Sequence, residues 1–276
     1  MNKIVFFLTI FLYFSVNQLD SQAQKKLGKE ILVTENTKNY DSIFDKIKKN
    51  YGIKVYYQDN NDFFPQSWRN KIVNPKLSII SIAELRRFPF LIAKELSKYS
   101  KNTITENLKG IYLAKSLSFY SDNVIFGATN SSDGIYITSN GIEKYYTDEY
   151  LTHIFHHEFS SILLRNYKFP QLEWESWNPR EFAYSNGGTQ ALRDKKDKLS
   201  GDESLYIQGI LSDYSLASFE EDFNVYSGMI FAEPEKFYEL TKKYPAIKEK
   251  FKIWLSFYNS IDKKFTEKYL FDDKTP

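Results

Sequence analysis

All three histidines of the chain, His153, His156 and His157, lie in the stretch THIFHHEFSSILL over residues 152–164. Two imidazoles at i and i+4 of a helix can grip one metal ion, and a glutamate at i+1 can take a proton from the water bound to it. His157 and Glu158 supply the first half of such an HExxH site, but the second histidine would stand at 161, where Ser161 stands instead. Serine is neutral and a poor ligand for zinc. A structural zinc site is worth roughly 10–16 kcal/mol, and losing one imidazole from it removes about two or more orders of magnitude in affinity.

His153 is a further candidate, one turn before His157. It lies about 40° round the helix, on the side away from Glu158. A metal held by His153 and His157 would sit roughly a turn from where Glu158 can polarise its water. The base position for that pair is Ile154, which cannot act as a base. His156 points about 100° off that face, as a packed or surface histidine would.

These residues need a helix. Thr147 is placed to cap it, with Asp148 and Glu149 in the first turn, and the pattern runs from about Thr147 to Asn166. Tyr150, His153, His157, Ser161 and Leu164 share one face, so the helix is expected to be amphipathic. A third ligand must come from a later element. The run DYSLASFEEDF over residues 213–223 offers a tyrosine and three consecutive acids, Glu220, Glu221 and Asp222. A tyrosine hydroxyl near a ligand can donate to an oxyanion formed on a carbonyl. The acids read equally well as a solvated helix start favoured by the dipole, and Tyr214 as a core residue.

Around this centre the chain has an α+β layout. A helix is expected over residues 38–51 and a strand over 53–57, followed by the turn-rich 58–62. Residues 81–99 read as helix broken at Pro89, 110–119 as one strand, 124–129 and 134–138 as two more. After the histidine helix, residues 168–199 read as a long, partly ordered surface loop. Helices follow over 219–231, 234–244 and 245–261, the last two with proline in the first turn. A strand-containing N-terminal lobe, the histidine helix and a helical C-terminal lobe result, with a cleft between the lobes.

Composition narrows the function classes. Lys3, the apolar run 4–16 and Ser21-Gln22-Ala23 form a signal peptide cut after Ala23, which makes residues 24–276 one domain. The run is too short for stable membrane insertion. Without any cysteine there is neither a disulfide nor a thiol for a lipid anchor. A net charge of +2 and the lack of a basic stripe argue against nucleic acid as a partner. The 21 tyrosines and 23 phenylalanines read as core and surface aromatic contacts.

HHEFSSIL followed by DYSLASFEEDFNVYSGMIF resembles the zinc-binding metallopeptidases of bacterial envelopes, which are similar to the catalytic domain of anthrax lethal factor. The likeness covers residues 116–231, and more loosely the half before them. It implies a zincin-like fold of the gluzincin kind, with zinc as cofactor. It further implies His157 as first ligand, Glu158 as general base, Glu221 as third ligand, and Tyr214, seven residues before it, as the tyrosine that steadies the transition state. Residues 127–129 and 134–137 resemble the edge strand along which such enzymes lay an extended substrate. Two positions depart from the pattern. Ser161 replaces the second ligand, and Val225 replaces a glutamate that would orient the ligands. The expectation is an exported, periplasmic or envelope protein of metallopeptidase descent with weak or no zinc hydrolysis. Two alternatives stand: a module that binds a peptide or protein partner without cutting it, and an active hydrolase with an unusual ligand set.

Overall fold

The structure is a computed structural model, and it describes residues 38–58, 63–140 and 146–271. Backbone contacts divide the chain into Met1–Ser42 and Ile43–Pro276. Of the first unit only residues 38–42, the start of helix α1 (Lys38–Tyr51), are described. The proposed signal peptide lies outside the described residues, as do 59–62 of the turn-rich segment.

Two small sheets form the strand-containing half. The first has the order β1 (Lys54–Tyr56), β3 (Gly110–Ala114), β7 (Gly134–Thr138) and β6 (Ala128–Asn130). Its first three strands are parallel and β6 closes it antiparallel. Strand β7 is buried at every position, as a central strand of Gly-Ile-Tyr-Ile-Thr should be. In-register Tyr56, Tyr112 and Tyr136 stack across three strands with centroids 4.6 and 4.3 Å apart. The second sheet, β2 (Lys76–Ser78), β4 (Ser116–Phe119) and β5 (Val124–Phe126), is antiparallel. Strand β2 gives no sequence signal, because it is three residues long and flanked by loops. The strand expected over 110–119 is therefore two strands in different sheets. They part at Lys115, whose N–H turns to the Ser78 carbonyl while the Ala114 carbonyl accepts from Ser139. Of the two segments expected to form the substrate edge, only β6 is an edge, and β7 lies inside the sheet.

The helical elements follow the proline and cap signals. The break expected at Pro89 separates α2 (Ile82–Leu85), started by a Ser81–Glu84 capping box, from α3 (Phe88–Ser97), which has Pro89 in its first turn. Helix α4 (Lys101–Asn107) follows, capped by Ser100. The histidine helix α5 (Asp148–Asn166) starts where Thr147 accepts from the Tyr150 N–H at 3.1 Å. It is not amphipathic: Leu151 to Leu163 are all buried, because it is the central helix. It packs against β6, β7, α3 and α4, and along α9 (Phe219–Ala232).

The segment 168–199 is not a loosely ordered loop. It forms α6 (Gln171–Glu175) and α7 (Gly188–Arg193). Trp174 is completely buried, and its indole N–H donates to Asp222 at 2.9 Å. The same carboxylate pairs with the buried Lys250 at 2.7 Å and accepts from Tyr184 at 2.8 Å. A paired, buried charge of this kind fixes the segment to the core. Helix α8 (Glu203–Ile207) precedes a 3-10 turn at Tyr214–Leu216. Helices α10 (Pro234–Lys243), α11 (Pro245–Ile261) and α12 (Glu267–Phe271) close the chain around Trp254, Tyr258 and Phe265.

Candidate functional site

Two helices and one turn bring the sequence candidates together. Helix α5 carries His153, His157, Glu158 and Ser161. Helix α9 begins at Ser218, whose hydroxyl accepts from the Glu221 N–H at 3.1 Å, and this sets Glu221 in the first turn facing α5. The 3-10 turn supplies Tyr214. His157 Nε2 donates to Glu221 Oε2 at 2.9 Å, and the Tyr214 hydroxyl donates to Glu221 Oε1 at 3.1 Å. The rings of His157 and Tyr214 lie 5.9 Å apart, nearly parallel. Thus His157, Tyr214 and Glu221, which are far apart in sequence, form one hydrogen-bonded group. It borders a cleft of about 1030 Å³ that also takes in Glu158.

The electrostatics follow from burial among carboxylates. Burial pulls the His157 pKa down, but the bond to Glu221 and the charges of Glu221 and Glu158 outweigh it, so the net shift is upward. Burial lifts the Glu158 carboxyl to about 7, against the pull of His157 and a hydrogen bond from Asn130. Burial and the neighbouring Glu221 push the Tyr214 hydroxyl well above its ordinary value, so it stays a donor.

Sequence reasoning missed the partners of Glu158. Asn130, at the end of β6, donates to Glu158 Oε2 at 2.5 Å. Arg165 in turn donates to Asn130 Oδ1 and to the Ser131 carbonyl, the latter at 2.7 Å. The one signal was Arg165 itself, seven residues after Glu158 and hence on the same helical face. Asn130 could be found only once β6 was known to end beside α5.

Ser161 sits in a polar clasp. Asn224 Nδ2 donates to Ser161 Oγ at 2.6 Å, and Ser160 Oγ lies 2.5 Å from Asn224 Oδ1. All three side chains are buried. Val225 is buried too, and offers no polar atom to the ligands. The His153 ring lies 6.2 Å from that of His157 and lines the same cleft. It packs on α9 at Gly228, where a Cβ would stand 2.4 Å from Nε2. That nitrogen has no hydrogen-bond partner, and burial holds the ring near a pKa of about 3. His156 is a core residue. Its Nε2 donates to Glu95 at 2.8 Å and its Nδ1 accepts from Tyr99 at 2.6 Å.

A zinc site built on His157 and Glu221 would need a third protein ligand. Ser161, one turn after His157, is committed to Asn224. Among the described residues no group of three or more His, Asp and Glu side chains is placed to hold a metal. The residues present therefore do not fit a three-ligand zinc centre.

No family model matches the chain, and no match is found among curated proteins. A solved structure from Bacteroides caccae, named a "putative zinc-binding metallo-peptidase", superposes with a TM-score of 0.51. It is 16% identical in sequence, and the likeness covers 86% of this chain and 92% of that one. The likeness shows the fold: the chain is an α+β protein with a metallopeptidase-like fold. Among the described residues no helix is long and apolar enough to cross a membrane.

Proposed function

We propose that this is an exported protein of zinc-metallopeptidase descent. Its cleft holds an extended peptide or an envelope protein segment without cutting it. The observation that carries this reading is Ser161 at the second-ligand position, its hydroxyl already clasped by the buried Asn224. With His157 and Glu221 but no second imidazole, the site lacks the chelation that zinc hydrolysis needs. The edge strand β6 borders the same cleft through Ala128, so an added peptide strand could pair with it beside Glu158.

A second reading, an active hydrolase with an unusual ligand set, has its own support. His157, Tyr214 and Glu158 line one cleft, with Glu221 bonded to the first two, and burial lifts the Glu158 carboxyl to about 7, suited to general acid or base work.

Zinc titration of the wild type, Ser161→His and Ser161→His with Glu221→Ala separates the two. We expect weak zinc binding and little peptidase activity in the wild type. Ser161→His should bind zinc about a hundredfold tighter, and the added Glu221→Ala should remove the gain. Peptidase activity should recover less than zinc affinity, because Val225 leaves the ligands without an orienting carboxylate. A wild type that already holds one tight zinc, lost on Glu221→Ala, overturns the proposal in favour of the hydrolase.

A further inference from the structure

The His157–Glu221–Tyr214 group is covered from one side by the chain between α6 and α8. The place where a Gly188 Cβ would stand is 2.0 Å from Glu221 Oε1 and 2.6 Å from the Tyr214 oxygen. Backbone therefore lies directly on the two side chains, and a Cβ at 188 would have to push their ends aside. Leu192, Asp197 and Leu199, further along the segment, line the cleft. Helix α7 packs on β5, but backbone hydrogen bonds from the segment to the rest of the protein are few. The Tyr214 N–H donates to the Lys198 carbonyl at 3.2 Å, and the Gly187 N–H to the Ala217 carbonyl at 2.8 Å. Within α7 only Ala191 is buried. At its far end Arg193 pairs with Asp122 at 2.7 Å and lies over the Tyr120 ring, across to the β4–β5 hairpin. Both charges of this pair are largely solvent-accessible.

The two ends differ. Gly187 has φ +86 with no atom within 4 Å of its missing Cβ, so its backbone is of the permissive kind and has room to turn. Gly201 is wedged against the Leu211 carbonyl, 2.5 Å from where its Cβ would be. One end can pivot and the other is fixed. Few buried apolar contacts and one surface ion pair are the marks of a segment that opens locally at low free-energy cost.

We propose that residues 187–200 are a lid, pivoting at Gly187 and latched by Arg193–Asp122, whose closed position screens Glu221 and Tyr214. Opening uncovers them to whatever enters the cleft. In that respect the proposal rests on the reading of the cleft as a ligand site.

The test uses the full chain without ligand. The Tyr214 amide reports the lid bond directly by hydrogen exchange. Because the chain has no cysteine, an Ile154→Cys background places a single thiol in the cleft wall for a bulky maleimide. Loss of one exposed ion pair predicts that Arg193→Ala speeds both exchange at Tyr214 and thiol labelling by about two- to fivefold. The core amide of Trp254 should be unmoved. The exchanged pair Asp122→Arg with Arg193→Asp should restore both rates. The proposal is overturned if Tyr214 exchanges no faster than Trp254 in every variant, or if labelling ignores Arg193. Since no ligand enters these measurements, failure to bind peptides would refute the proposed function and leave the lid standing.

Discussion

Two neighbouring histidines on α5 each sit with a glutamate and a tyrosine, yet they belong to different parts of the molecule. His156, Glu95 and Tyr99 form a closed group. Both ring nitrogens of His156 are taken, the ring stacks on Phe231 at 3.8 Å, and neither His156 nor Glu95 is accessible to solvent. His157, Glu221 and Tyr214 form an open group. His157 Nδ1 has no hydrogen-bond partner, the Glu221 side chain keeps 17% of its exposure, and the group borders the cleft. The charges respond accordingly. Burial drives the His156 pKa down to about 4, whereas the carboxylates around His157 move it up. Residue types alone do not distinguish a core pair from a candidate site. What separates them is whether each polar atom is satisfied and whether the group meets solvent.

The largest expected effect comes from breaking the closed group. Glu95→Ala removes the partner of His156, Lys98 and Thr152 in a buried site. Removing one member of a buried charged network costs about 3–5 kcal/mol. Urea unfolding should show this loss as a lower midpoint with an unchanged slope. A loss below about 1 kcal/mol would mean that Glu95 behaves as a surface residue and that the contrast is false.

Acid should attack the same group next. Burial opposes ionisation of Glu95, but the bonds and charges of His156 and Lys98 win and hold it at about 2, below its ordinary 4.5. The unfolded chain therefore takes up a proton at Glu95 before the folded chain does. The stability that Glu95 contributes is complete above pH 4.5 and is lost as pH falls toward 2, on the order of 3 kcal/mol in all. His156 acts in the same direction from higher pH. It titrates near 6.5 when unfolded and at about 4 when folded, so protons favour the unfolded chain below 6.5. Unfolding free energy measured from pH 7 to pH 3 should fall steadily, and Glu95→Ala should flatten the curve below pH 4.5. An equal slope in wild type and variant would remove Glu95 as the cause.

Much of the frame was legible because it rests on local signals. Thr147, Ser81 and the three prolines at 89, 234 and 245 start helices where their caps and fixed φ require. The three residues that the resemblance singled out, His157, Tyr214 and Glu221, meet through the Glu221 carboxylate. What was not legible depends on contacts between distant segments. Lys115 ends one strand and begins another only because Ser78 and Ser139 bind on either side. Trp174 orders its segment through Asp222 and Lys250, residues far along the chain. The absence of histidine at 161 was plain in the sequence. That Asn224 answers it with two hydrogen bonds needed α5 and α9 side by side.

The smallest expected effect sharpens the comparison from the other side. Glu221→Gln keeps a similar shape but removes the charge, and its one carbonyl oxygen can accept from only one of His157 and Tyr214. In a partly exposed group this should cost about 0.5–1.5 kcal/mol, well under the effect of Glu95→Ala. Its signature should be electrostatic rather than structural. Burial lowers the His157 pKa and Glu221 is the main influence that raises it, so without that charge the imidazole should titrate at a lower pH than in the wild type. The His157 ring resonances followed by NMR across a pH series read this shift directly, while those of His156 should not move. If Glu221→Gln instead unfolds the protein as readily as Glu95→Ala, the His157 group is a second core network. The cleft would then hold no candidate site.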